Sequence, residues 1–341
     1  MNYNNLLKFD SLGICKAYDN WPEIANVVYE KINYEIIDFK NINHVAFAGM
    51  GGSGTVGEIF SSILSESGIQ TSVIKSHLLP KTINNETLVV VTSISGNTEE
   101  SLSIIQEAKK KKIKIIAYTS GGKIKKICNS NQIKFQHVEK IHSPRASLTS
   151  TLYTMLKTLG PQFNISRKEV MNSINQMEKT GNEINSSQLN ENNPSIKLAK
   201  WISKIPVIYY PQGLKPAAIR FKNSLQENSK MHVVAEEILE ACHNGIMSWE
   251  RTENMKCVLI RGENDHFQTK ARIEIIKQYF KENHISFYEI NSVKGELLSK
   301  IINLIFKLDY TSIYHSMINQ NDPSPLKSIE YIKNLQKEVK S

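Results

Sequence analysis

The chain has 341 residues, enough for two domains of ordinary size, and its 40% hydrophobic and 22% charged residues fit a globular protein. No apolar run approaches the ~18 residues that a membrane-spanning helix needs. Met1 to Lys8 has neither the basic start nor the apolar core of a secretion signal, so a cytoplasmic protein with no membrane partner is expected. The formal net charge of +9 is carried almost entirely by scattered lysines, and no basic motif with interleaved aromatics accompanies it, so a nucleic-acid partner is not expected either.

Residues 1–37 carry helical periodicity through Trp21, Ile24, Val27, Val28 and Ile32, with Pro22 placed for a first turn. The apolar run Val45 to Ala48 reads as a strand. It stops at a glycine cluster, Gly49, Gly51, Gly52 and Gly54, and a helix opens with Val56, Ile59 and Phe60 on one side. The pattern then predicts strands over 71–74 and 87–92, a helix over 97–109, a strand over 113–118 and a turn at Gly121-Gly122. A short helix over 123–128, a strand over 133–137 and a helix over 146–159 complete the first half. Lys109 to Lys112, the one lysine run, falls at a predicted helix end, where cations favour the dipole.

Residues 161–194 change character. Asn, Ser, Gln and Glu dominate, and the stretch reads as an interdomain segment with one helix over 168–177. A second alternation follows, with strands over 206–210, 231–234, 257–260 and 286–290 and helices over 216–225, 270–280 and 297–317. Residues 238–250 mix loop and helix, Asp322-Pro323-Ser324-Pro325 breaks the long helix, and a last helix runs over 327–337. Strands alternating with helices predict an α/β fold with parallel sheets covered on both faces. The four cysteines, Cys15, Cys128, Cys242 and Cys257, are far apart and form no C-x-x-C pair, which argues against a disulfide framework or a zinc site.

Three kinds of phosphate loop could hold the glycines after the first strand. The P-loop needs a Lys-Ser/Thr pair after its last glycine, and Gly54 is followed by Thr55-Val56. Gly49, Gly51 and Gly54 satisfy the dinucleotide fingerprint, but the next strand ends at Lys75-Ser76-His77, without the acid that would hold a ribose. What remains is a phosphate cradle at a helix N-terminus with Ser53 in its middle, or a tight turn with no ligand. A second loop, Thr92 to Glu100, also joins a buried strand to a helix and packs Ser93, Ser95 and Thr98 around Gly96. One hydroxyl would serve as a helix cap, and three in six residues exceed that need. Loops at the carboxyl ends of parallel strands converge on one crevice, so the two loops are expected to meet over one phosphate.

Arg145 follows Pro144 at the start of a helix, a place that suits an acid better, so it is expected to face an anion; the alternative is a surface arginine. Glu227 lies at a helix end, equally unfavourable for an acid, and His243-Asn244 sits in apolar company. A carboxylate and an imidazole are the usual tools for moving protons on a sugar, although a solvated glutamate and a structural histidine are the plainer readings. The loop equivalent to the cradle in the second half, Pro211 to Lys215, has no such set of hydroxyls.

Gly49-Met50-Gly51-Gly52-Ser53-Gly54, Ser93 to Glu100, Pro144-Arg145, Glu227-Asn228-Ser229-Lys230 and His243-Asn244 occur in that order. Together they resemble the bifunctional phosphoglucose/phosphomannose isomerases, proteins of two sugar-isomerase (SIS) domains, from about residue 21 to the end. The resemblance implies an SIS domain over 1–160, an interdomain segment over 161–194 and a second SIS domain over 195–341, each a parallel sheet between helices. It implies interconversion of glucose 6-phosphate or mannose 6-phosphate with fructose 6-phosphate, in a homodimer without metal or cofactor. Glu227 would then move the proton between C1 and C2, Arg145 would steady the cis-enediolate, and His243 would assist ring opening from the other subunit. Gly52, Ser53, Ser93, Ser95 and Thr98 would hold the phosphate. For the family's C-terminal ring-opening lysine the last helix offers Lys327, Lys333 and Lys337, of which Lys333, in Ile332-Lys333, fits best. Gly245 stands where the family usually has an acid. A regulatory SIS protein that only binds a phosphosugar would need neither Glu227 nor His243. An SIS enzyme that makes or cleaves an amino sugar phosphate would be expected to carry an extra amidotransferase domain.

Overall fold

The computed structural model describes residues 3–251 and 254–338. After a 3-10 turn at Tyr3–Phe9 come α1 (Ile14–Asp19) and α2 (Trp21–Asn26), the latter running into a π turn at Val27–Lys31. The first sheet is built from β1 (His44–Ala48), α3 (Gly51–Leu64), β2 (Gln70–Ile74), β3 (Thr87–Thr92), α4 (Glu99–Lys110), β4 (Lys114–Thr119), α5 (Gly122–Asn131) and β5 (Lys134–His137). Three helices follow: α6 (Leu148–Leu159), α7 (Arg167–Ile184) and α8 (Pro194–Trp201). The second sheet comes from β6 (Ile205–Tyr210), α9 (Lys215–Ser229), β7 (Val234–Glu237), α10 (Ile238–Ala241), β8 (Met255–Arg261), α11 (Phe267–Glu282) and β9 (Phe287–Asn291). The chain closes with α12 (Leu297–Ile318) and α13 (Lys327–Glu338).

Both sheets are wholly parallel, in the orders β2-β1-β3-β4-β5 and β7-β6-β8-β9. The second order repeats the first without its last strand. Every residue of β1 and β3 is buried, as expected of central parallel strands covered on both faces. Strand alternation sorts those residues. Val45, Phe47, Leu88 and Val90 join Ile208, Tyr210, Val258 and Ile260 of the second sheet in one shared core. Ala46, Ala48, Val89 and Val91 turn the other way, onto Ile104 and Ile105 of α4 and Ile124 of α5. Tyr209, Cys257 and Leu259 likewise face outward onto Ile273, Ile276 and Phe280 of α11. The molecule is therefore a sheet, a middle layer of helices and a second sheet. The middle layer centres on α12, which packs on α7, α8 and α9, while α9 also packs on α3. This arrangement carries Glu227, on α9, toward the carboxyl edge of the first sheet.

Several element bounds differ from the sequence reading, and the helix α8 is not in it; two differences have a plain physical cause. The strand expected over 231–234 lies at Val234–Glu237, because it is an edge strand whose Ala235, Glu236 and Glu237 are only half-buried, so it shows no apolar run. The polar stretch over 161–194 holds a longer helix than expected. Ser166 caps α7 by accepting from the Glu169 amide at 3.2 Å. Val170, Ile174, Met177, Gly181 and Ile184 then form its buried stripe. Among the described residues no helix is long and apolar enough to cross a membrane.

His44, at the start of β1, is buried with Nε2 2.8 Å from Ser72 Oγ and Nδ1 3.2 Å from Thr87 Oγ1. Burial holds its pKa below the ordinary histidine range. With the folded value below the unfolded one, this residue's contribution to stability is complete above the unfolded pKa, about 6.5, and is lost as pH falls toward the folded value. Buried His315 acts in the same direction, with burial outweighing the Ile202 carbonyl that its Nε2 meets at 3.0 Å. Denaturation midpoints should therefore fall less between about pH 7.5 and about pH 5.5 in His44→Gln than in the wild-type protein. An identical fall in both would remove His44 from the acid response.

Candidate active site

The loops after β1 and β3 sit side by side, since those strands are neighbours and the strand order reverses between them. β1 ends at Ala48 and α3 begins at Gly51. The first amides bonded within this turn are those of Ser53 and Gly54, both to the Met50 carbonyl, and no side chain caps α3. The Gly51 and Gly52 amides and the Ser53 hydroxyl are thus available to an anion. At the second loop Thr98 is the N-cap of α4, yet its side chain does not cap the helix. Its Oγ1 lies 2.9 Å from Oγ of buried Ser93 instead. Ser95 is exposed, and its Oγ accepts the Asn97 amide at 3.3 Å. Capping alone therefore does not explain these hydroxyls. Gly96 takes φ +65°, and a Cβ there would stand 1.8 Å from the Gly121 carbonyl, so the loop packs backbone to backbone against the head of α5.

Arg145 is 5% exposed and is not a surface arginine. Its Nη1 donates to Glu227 Oε2 at 3.3 Å, and Nη2 donates to the carbonyls of Pro323 at 2.9 Å and Ser324 at 3.2 Å. Its Nε is buried without a partner. Glu227 stands in the last turn of α9, its side chain 29% exposed, so it is held by Arg145 while open to a ligand. Lys230, the left-handed cap of α9, donates to the Pro325 carbonyl at 2.9 Å and to the Glu227 carbonyl. Burial and then the Arg145 charge lower its pKa, against the opposing pull of Glu227 and Asp322.

Gly52 joins the cradle to this group. A Cβ at Gly52 would lie 3.2 Å from the Pro144 carbonyl oxygen, 3.3 Å from Arg220 Nη1 and 3.5 Å from Arg145 Cα. The sequence reading did not single out Arg220. It is 3% exposed on α9, and Nε and Nη2 bind buried Asp309 of α12 at 2.7 to 3.1 Å. Nη2 also donates to Tyr18 Oη at 3.1 Å and to the Arg145 carbonyl at 2.9 Å. Two signals could have found it. Arg220, Ser224 and Glu227 follow the helical spacing of one face, and Asp309 is the one acid of α12, two residues after Lys307 and among Leu308, Tyr310 and Ile313.

The structure thus brings together Gly52, Ser53, Ser93, Thr98, Arg145 and Glu227, with Ser95 exposed on the second loop. It does not bring His243 or Lys333 to them within one chain. His243 is exposed on the turn after α10, its amide bonded to the Glu240 carbonyl at 2.9 Å. Lys333 is exposed on α13, and the side chain of Lys337 lies outside the described part of the molecule. At the second sheet's carboxyl edge there is a cavity of about 510 Å³ lined by Gln212, Asp265, His266 and Lys300 among others. Its side chains mix acids and bases and lack the hydroxyl set of the first edge. Among the described residues no group of three or more His, Cys, Asp or Glu is placed to hold a metal.

Comparison with known proteins bears on the family and the fold. Residues 38–159 match the SIS domain, and residues 191–335 match the bacterial phospho-glucose isomerase C-terminal SIS domain. The chain is 30% identical over 334 residues to a bifunctional phosphoglucose/phosphomannose isomerase of Caldicellulosiruptor bescii, covering 94% of this chain and 98% of the relative. It is 28% identical to the Aquifex aeolicus protein of the same name, covering 91% and 97%. In fold it is similar to a hypothetical protein of Thermus thermophilus, with a TM-score of 0.75 at 13% identity, over 99% of this chain and 94% of that one.

Proposed function

The chain belongs to the family of bifunctional phosphoglucose/phosphomannose isomerases, and we propose that it interconverts glucose 6-phosphate and mannose 6-phosphate with fructose 6-phosphate. The observation that carries this reading is the contact path from the cradle at Gly52, through Arg145, to Glu227. Phosphate sits on the free amides at the head of α3 and on the hydroxyls of Ser53, Ser93, Ser95 and Thr98. The sugar then extends over Arg145, with C1 and C2 at the Glu227 carboxylate. Glu227 takes the proton from one of these carbons and returns it to the other. The cis-enediolate formed between the two steps is anionic, and the fixed Arg145 guanidinium stabilises it more than it stabilises the neutral carbonyl. A purely regulatory phosphosugar-binding role is disfavoured, because the relatives are named isomerases and the second half brings a carboxylate to the cradle.

His243 and Lys333 assist ring opening in this reading, with His243 supplied by a second copy in a cytoplasmic homodimer. Their exposure supports it, as do Ile329, Tyr331, Ile332 and Leu335, apolar side chains that α13 leaves uncovered within one chain. The test is to add fructose 6-phosphate alone and follow the sugar phosphates by NMR. Glucose 6-phosphate and mannose 6-phosphate should both appear and reach equilibrium with it. If neither appears, the reading is wrong; if only one appears, the second activity is wrong.

A further inference from the structure

We infer that Arg220 is a substrate-contacting residue of this site, a fixed cation that meets the phosphate at Gly52 and also holds Arg145 in position. The inference rests on the sugar-phosphate reading above. A guanidinium has five N–H donors in a rigid fork. Nε and Nη2 of Arg220 are engaged by Asp309, Tyr18 and the Arg145 carbonyl. Nη1 has no partner among the described residues, yet it is not one of the sealed-off polar atoms, as Arg145 Nε is. The free edge of this buried cation opens 3.3 Å from the position of a Cβ on Gly52, in the first turn of α3. The Gly51 and Gly52 amides, which have no backbone partner in that turn, belong to the same turn.

The surroundings suit an anion. Burial opposes charge on Arg220, but Asp309 and then Tyr18 hold its pKa above the ordinary range, so the guanidinium stays charged. Asp309 also fixes its orientation, so no reorganisation is needed when the phosphate arrives. Hydroxyls and amides alone would leave a phosphate dianion beside neutral dipoles, and Nη1 adds a charge-assisted bond. Gly52 is required for this contact, because any side chain there would fill the gap between Nη1 and the cradle. Through Nη2 the same guanidinium fixes the turn that carries Arg145, and so the partner of Glu227.

The test uses the full chain and inorganic phosphate as probe, with fructose 6-phosphate for kinetics. Gly52→Ala sets a methyl against the Nη1 edge and the Pro144 carbonyl while leaving both charges of the Arg220–Asp309 pair in place, and Arg220→Gln removes the cation. Each should weaken phosphate binding about 10- to 100-fold, the range of a lost charged hydrogen bond, and raise KM by a similar factor. Arg220→Lys should recover part of the affinity. A merely structural Arg220 would lower the denaturation midpoint without raising the phosphate Kd of folded protein. If Arg220→Gln does not fold, Gly52→Ala decides. Phosphate affinity in folded Gly52→Ala within about twofold of wild type overturns the inference. Wild type that binds phosphate but isomerises no sugar phosphate would sink the proposed reaction and leave the Arg220 contact to be judged by Kd.

Discussion

Replacing Glu227 by Gln should lower kcat for fructose 6-phosphate about 10²- to 10⁴-fold, the usual contribution of a positioned general base. Gln keeps the size of the side chain and an oxygen to accept the Arg145 Nη1 bond that now spans 3.3 Å, so the packing at the end of α9 survives. What it loses is the ability to take a proton. Substrate affinity should change little, because the proposed reading puts the phosphate on the head of α3 and the loop after β3, not on this carboxylate. The signature is therefore a fall in kcat and kcat/KM together with a near-constant Kd, the pattern of an interaction made in the transition state alone. Equal turnover in the Glu227→Gln variant and wild-type protein would remove this carboxylate from the chemistry, and a raised Kd with unchanged kcat would make it a binding residue.

The largest loss of stability is expected from Asp309→Ala. Asp309 is fully buried and accepts from Arg220, from Tyr18 Oη at 3.0 Å and from Ser224 Oγ at 2.5 Å. Burial and then the Asp309 charge push the Tyr18 pKa up, so the phenol remains a donor to it. Removing the acid strands the Arg220 charge in the middle layer of helices, which costs roughly 3–5 kcal/mol in comparable buried pairs. That is a large share of the ~5–15 kcal/mol that holds a typical domain folded. Urea denaturation of Asp309→Ala against wild type measures it. Replacing both partners by leucine should cost less than the single change, because no charge is then left unpaired. If Asp309→Ala loses less than about 1 kcal/mol, water reaches Arg220 and the pair is not the anchor described here.

Much of this was legible in the chain. The glycine cluster after Val45 to Ala48 and the serines after Leu88 to Val91 mark the two loops, because each follows a strand buried on both faces and therefore rich in apolar residues. Arg145 and Glu227 announced themselves by their charge, the one just before a helix start, in the turn ahead of α6, and the other in the last turn of α9. Their meeting at 3.3 Å was not legible from local pattern. It depends on α9 crossing α3 in the middle layer, a relation between residues 82 positions apart. Arg220 escaped for a related reason. A lone arginine in an amphipathic helix reads as solvated unless its spacing to Ser224 and Glu227 is weighed, and the fold turns that face inward, onto an acid from α12.

The position of the sugar itself remains the most direct test. A crystal structure with fructose 6-phosphate bound to the slow Glu227→Gln variant would show it. The phosphate should lie between the head of α3 and the Ser93–Thr98 loop, with C1 and C2 about 3–3.5 Å from the residue 227 side chain. A phosphate seated instead in the crevice of the second sheet, or a sugar whose first two carbons point away from residue 227, would contradict the division of labour between the two halves.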